Sequence, residues 1–509
     1  MEAIIIENLK DFGEPSEFWQ YFYEITRIPR CSTNEDKIRE YIKNEAEKMG
    51  FQTEVDTIKN LVVRIPSNRA SEGNKLGVVL QSHIDMVCEK NENIPHDFSK
   101  DPIKLKTIEI ENEKWLTAEG TTLGADNGVG IAYQLAIMKK IHKGSLDFGS
   151  LGLDLLFTVD EERGLSGASQ MDKNLISGKY LLNLDSEEDD RFTIGCAGGK
   201  VFKVDASYER ELISIPNLSA LKISISGLLG GHSGGDINKK RGNALKILAE
   251  LIWKINSKFN IFVNSLEGGN LTNAIPREAH AIIFIENNQM NEVETFINEI
   301  KPKIKEIYEG TDSNLLISTE LQKDYADKTT FSKEFQNKLL DLFYIIPNGP
   351  ISLHPTSKGL VHTSLNFAVV HTLENVIEFK VSTRSLAEYD KDMLFEKLKT
   401  LLKTSGLTID IEIVTIYPSW PPVFNSKLTE ISKQLYKKMF DKEVVIQAIH
   451  AGLECAFFSH YYPDMEMISL GPDVIGGHSP DERLNIKSVS KIWKFLLALL
   501  KNLAKFNEY

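Results

Sequence analysis

Cysteine is scarce in this chain, with four in 509 residues. Cys31, Cys88, Cys196 and Cys455 are scattered and form no C-x-x-C pair, which argues against a disulfide framework and against a thiolate zinc site. Any metal would have to be held by histidine and carboxylate. Positive charge is short as well. Lys and Arg number 59 against 72 Asp and Glu, a net charge of −13, so neither a nucleic-acid groove nor an anionic membrane surface is the expected partner. Long apolar runs are missing: nothing approaches the ~18 residues of a membrane span. The stretch Ala3 to Ile6 is too short for a signal peptide and has acidic neighbours. The closing KIWKFLLALLKNLAKF is broken by lysines and reads as a docking helix. Cytoplasm is the expected location. No low-complexity segment or short-period repeat is visible.

Hydrophobic residues make up 42% of the chain, enough for a large core, and the length allows two or three domains. Two helices are expected first, Glu17 to Thr26 and about Asn34 to Met49, the second capped by Ser32 or Thr33 and stopped at Gly50. Short apolar runs then alternate with helical stretches: GVVLQS, GVGIAYQLAIMKKIH, LDLLFT, YLLNL. That rhythm predicts an α/β domain with a largely parallel sheet and helices on both faces. Near Tyr208–Pro216 the pattern changes to strand and helix pairs of α+β type, and from Asn425 the α/β rhythm returns. The reading is a catalytic domain over 1–212 and 419–509 with an α+β lid inserted at 213–418.

Candidate chemistry sits where apolar runs stop. GVVLQS ends in His83-Ile84-Asp85, LDLLFTV in Asp160-Glu161-Glu162, YLLNL in Asp185, and MEMISLGPDVIGG leads to His478. Asp126 lies in the glycine-rich turn TTLGADNGVG before a helix. Ligands of open α/β sheets bind beyond the carboxyl ends of the strands, so these groups could converge on one edge. Taken singly, each has a plain reading as a helix cap, a solvated acidic loop or a loop histidine. Together, two histidines and three carboxylates without cysteine suit zinc, manganese or cobalt with an open position. Two metals about 3.5–4 Å apart need one bridging carboxylate.

The order SHIDM, TTLGADNG, FTVDEERGLSGA, NLDSEE, GLLGGHSG, GGNLTNAIPREA and GGHSPDE resembles the M20 metallopeptidase family, most closely its aminoacyl-histidine dipeptidase branch. RIPRCSTNEDKIREY, GCAGG and VHTSLNFAVV resemble the same branch, so the likeness spans nearly the whole chain. It implies hydrolysis of Xaa-His and other dipeptides by water activated between two divalent ions, most simply zinc. His83 and Asp185 would hold one ion, Glu162 and His478 the other, and Asp126 would bridge them. Asp85 would orient His83. Glu161 would be the general base, kept off the metals on an extended chain where neighbours point to opposite sides. In the inserted domain, His232 would polarise the scissile carbonyl, Asn273 would contact substrate, and Arg384 would bind the substrate carboxylate bidentately. Glu454 in HAGLECA matches the branch without an assigned role. His96, His450 and Cys88 are expected to be structural or peripheral.

The resemblance leaves rivals. N-acyl amino-acid deacylases and tripeptidases of the family would share every ligand. A non-catalytic relative should lack Glu161 or a ligand, and all are present. In smaller family members the lid is a dimerisation module whose histidine reaches the partner's site. Here the insert spans about 200 residues, room for two α+β layers. His232 is therefore expected to serve its own chain, and a homodimer would use another surface.

Overall fold

The computed structural model describes residues 9, 12–67, 77–323 and 325–506. The apolar stretch from Ala3 to Ile6 lies outside them. Chain contacts divide the protein into two units: one runs to Gly195 and resumes over Pro422–Ala448 and from Leu453, the other holds Cys196–Pro421 and Ile449–Gly452.

In the first unit the apolar runs become an eight-stranded sheet. Its order is Gln52–Val55, Leu61–Ile65, Gly152–Thr158, Gly77–His83, Tyr180–Asn183, Glu466–Ser469, Arg191–Cys196, Val445–Ile449. The middle four strands are parallel, and antiparallel pairs flank them. Parallel strands bury both faces, which is why GVVLQSH and YLLN are apolar runs rather than alternating ones. Parallel register also brings their carboxyl ends level: His83 pairs with Thr158, and Gln81 with Asn183.

Helix Ala125–His142 is apolar on nearly all sides and almost wholly buried. It packs on Gly77–His83 and against helix Ser16–Thr26. Phe18, Phe22, Tyr133, Trp493 and Phe495 share the core there with helix Ile486–Phe506. The second helix begins at Asp36 behind Glu35 with no side-chain cap among the described residues, so neither Ser32 nor Thr33 has the capping role expected.

The second unit carries a nine-stranded antiparallel sheet. Its path runs Leu316–Gln322, Leu218–Ser226, Ala279–Glu286, Phe262–Gly268, Val361–Thr372, Val376–Ser385, Gly198–Ser207, Ile409–Tyr417, and Gly349–Leu353 pairs off Val361–Thr372. Helices Ala244–Lys258, Met290–Tyr308, Lys333–Ile345 and Glu388–Thr404 pack into its core. The boundary falls at 195/196 rather than 212, because Gly198–Ser207 pairs on both sides within this sheet. The chain also returns to this unit at Ile449–Gly452, where Ala197 donates its N–H to the carbonyls of Ile449 and Ala451.

Cys31 and Cys88 form a disulfide across 57 residues of sequence, against the expectation of none, while Cys196 and Cys455 are buried and take no part in a disulfide among the described residues. Among the described residues no helix is long and apolar enough to cross a membrane.

Candidate metal centre

The level strand ends set out the donors. His83 is the last residue of Gly77–His83, Asp185 follows Tyr180–Asn183 by two residues, and Glu162 lies in the turn after Gly152–Thr158. Asp126 enters through the turn at Gly124, whose φ of 71° is left-handed; a Cβ there would stand 2.6 Å from Arg30 Nη2, so only glycine fits. His478 arrives from the loop before Arg483–Asn485.

His83 Nε2 lies 3.0 Å from Asp126 Oδ1 and 3.4 Å from Asp185 Oδ1. His478 Nε2 lies 3.1 Å from Asp126 Oδ2 and 3.0 Å from Glu162 Oε2. The two imidazoles thus face opposite oxygens of one carboxylate, and all five expected donors meet. Asp85, wholly buried, stands 3.2 Å from His83 Nδ1 and accepts the backbone N–H groups of Glu161 at 3.1 Å and Glu162 at 3.2 Å. It therefore holds the ring and the acidic turn together. That turn is helical, Glu161–Gly164, behind a left-handed Asp160, and not the extended chain expected. Successive residues of a helix are about 100° apart, so a helical turn also lets neighbouring side chains leave in different directions.

The charges explain one another. Burial alone would lower the pKa of His83, yet Asp185, Asp126 and Asp85 raise it well above the usual imidazole range. His478 is pushed up to about 11 by its bonds to Asp126 and Glu162. Burial opposes ionisation of Asp126, but His478 and His83 hold it well below the carboxylate range. Asp185 is raised to about 6, chiefly by burial. Burial also drives Glu161 well above its ordinary value, against His83 and with the nearby carboxylates of Asp185, Glu162 and Glu454. The cluster is a concentrated negative site that binds protons tightly through its histidines. A divalent cation suits the same donors and would displace those protons. Glu162 Oε1, buried and without a hydrogen-bond partner among the described residues, is a spare donor for it.

Several supporting residues have roles here that the sequence does not assign them. Arg30 is buried and donates to the carbonyls of Ile84, Asp85 and Gly124 at 3.2, 2.6 and 2.5 Å. Ser32 donates to Asp85 Oδ2 at 2.8 Å, and Asn127 Nδ2 to Asp185 Oδ1 at 2.6 Å. Glu482 accepts four backbone N–H groups of the Asp126 turn. The only signal for these was their place inside or beside the quoted motifs.

The other expected residues lie in the second unit. His232 bridges to Ala274, and Ser233 donates its N–H to the Asn273 carbonyl at 2.8 Å, so His232 and Asn273 belong to one local structure. Arg384 faces Ser364 across paired strands, is 6% exposed, and among the described residues has no carboxylate partner. His450 is buried, as a structural role requires, with Nε2 2.7 Å from Ser364 Oγ. Burial, with Arg384 nearby, pushes its pKa down to about 3.

Residues 79–502 match the profile of the peptidase family M20/M25/M40. The chain belongs to that family. It is 36% identical to the cytosol non-specific dipeptidase of Escherichia coli over 96% of this chain and 98% of the relative. The aminoacylhistidine dipeptidase of Vibrio alginolyticus shares its structure with a TM-score of 0.83 and 32% identity, over 98% of each chain. A tripeptidase from Staphylococcus aureus, 14% identical with a TM-score of 0.54 over 99% of this chain and all of that one, shares the fold alone.

Proposed function

We propose that this protein is a cytoplasmic metallodipeptidase that hydrolyses Xaa-His and other dipeptides with two divalent ions. Zinc is the first candidate, and cobalt or manganese would suit the same donors. The observation that carries the reading is Asp126, whose two oxygens face two different histidines at 3.0 and 3.1 Å. That is the arrangement a bridging carboxylate needs. His83 and Asp185 would complete one ion's ligands, Glu162 and His478 the other's. The dipeptidase relatives of nearly equal length support the substrate class.

Bound divalent ions would supply Lewis acidity toward the scissile carbonyl and acidify the attacking water. Glu161 takes the proton from that water and passes it to the leaving amine. Asp85 keeps the His83 ring and the Glu161 turn in place. His232 stabilises the oxyanion, Asn273 contacts substrate, and Arg384, a buried cation without a carboxylate partner among the described residues, takes the substrate's terminal carboxylate.

The test is metal analysis of purified protein joined to a substrate panel. Two divalent ions per chain and turnover of dipeptides, lost on chelation and restored by zinc, are expected. Preference for N-acetyl amino acids or tripeptides would replace the dipeptidase reading.

A further inference from the structure

Glu482 is 1% exposed and ends the GGHSPDE motif, four residues after His478. Its carboxylate is filled by consecutive backbone N–H groups. Oε2 accepts from Leu123 at 2.7 Å and Gly124 at 2.9 Å, and Oε1 from Ala125 at 2.7 Å and Asp126 at 3.2 Å. Such a concave run of N–H groups is an anion nest, and here the anion is part of the chain. The left-handed Gly124 makes the nest possible.

Both sides of this contact are anchored. Thr117 Oγ1 donates to the Glu482 carbonyl at 2.6 Å, and the strand Arg483–Asn485 that follows pairs with Glu113–Ala118. On the turn's other side, Arg30 donates to the Gly124 carbonyl at 2.5 Å. The peptide units before Asp126 are therefore gripped through N–H groups and a carbonyl at once.

We propose that Glu482 is the positioning residue for Asp126: by holding the turn from Leu123 to Asp126, it sets the two Asp126 oxygens between His83 and His478. The inference rests on the reading of Asp126 as the shared ligand. One side chain then ties together the two loops that deliver Asp126 and His478, so both approach the centre as a unit. Four donors need two acceptor oxygens, which a carboxylate has and an amide lacks. In Glu482→Gln the amide nitrogen would face two N–H groups, so the isosteric change should fail. A merely structural role would lower stability and leave metal affinity and turnover of the folded protein intact.

The experiment compares wild type, Glu482→Gln and Asp126→Asn as folded apo-proteins well below their melting temperatures. Zinc affinity is read by competition with a chromophoric chelator, and kcat and KM are read separately. Glu482→Gln should weaken zinc binding by about 10–100-fold, the usual effect of losing an outer partner of a metal site. Its kcat should fall with KM within about twofold. Wild-type zinc affinity in folded Glu482→Gln would overturn the proposal. If Asp126→Asn also keeps both zinc ions, it is the reading of Asp126 that fails. Should Glu482→Gln not fold, Glu482→Asp withdraws the charge by one methylene, and wild-type zinc affinity there overturns the proposal equally.

Discussion

The carboxylate of Glu454 accepts a hydrogen bond from the side-chain amide of Gln81 at 2.6 Å, both groups fully buried. Thr158 donates to the same oxygen at 2.8 Å, and Asn183 donates to Gln81 Oε1 at 2.6 Å. Gln81 stands two residues before His83 and Asn183 two before Asp185, so this polar layer lies along the strands just behind the donors.

A pH prediction follows for Glu454. Burial raises its pKa from 4.5 to about 8. The folded protein then holds a proton that the unfolded chain releases, so this group's contribution is undiminished below 4.5 and falls as pH rises toward 8. Glu454→Gln keeps an acceptor oxygen for Gln81 and Thr158 and cannot ionise. Urea unfolding of metal-free protein at pH 5, 6.5 and 8 should show the variant gaining on wild type as pH rises. Parallel stability curves would mean that Glu454 does not carry that proton.

Glu161→Gln should cut kcat by about 100-fold or more, the range expected for losing a general acid–base group. Two metal ions should remain, because the side chain offered to His478 is that of Glu162. Metal content and rate of the same preparation decide it. Loss of one metal equivalent would reverse the roles of Glu161 and Glu162.

Arg384 should make a free terminal carboxylate matter. A dipeptide amide should be cleaved with kcat/KM lower by about 10–100-fold, the worth of a hydrogen bond to a charged group. Arg384→Met should erase the difference between acid and amide. Equal rates on both substrates with the wild-type enzyme would remove Arg384 from this role.

His232 should act within its own chain. Among the described residues the second unit holds a nine-stranded sheet and four long helices, room for the doubled lid that could stand in for a partner's. A His232→Ala subunit mixed with a Glu161→Gln subunit under exchange conditions should stay inactive, since each site lacks one group. Recovery toward a quarter of wild-type activity would show that His232 is borrowed from a neighbouring chain.

The donor set was legible in the sequence because metal sites need particular residue types, and parallel strands present those types at the ends of apolar runs. His83, Asp185 and the Asp160–Glu162 turn could be found that way, and Asp126 and His478 from their glycine-rich surroundings. What surrounds them could not. Whether Glu482 is a surface acid or the anchor of a turn depends on N–H groups 356 to 359 residues away. Arg30 and Glu454 are defined in the same way, by what folding brings to them. The Cys31–Cys88 pairing has no spacing signal, and the boundary at 195/196 has no composition signal, because both depend on which distant segment lies alongside. Residue chemistry and local periodicity are properties of neighbours along the chain, whereas a buried charge takes its role from partners in space, and only the tertiary structure decides those.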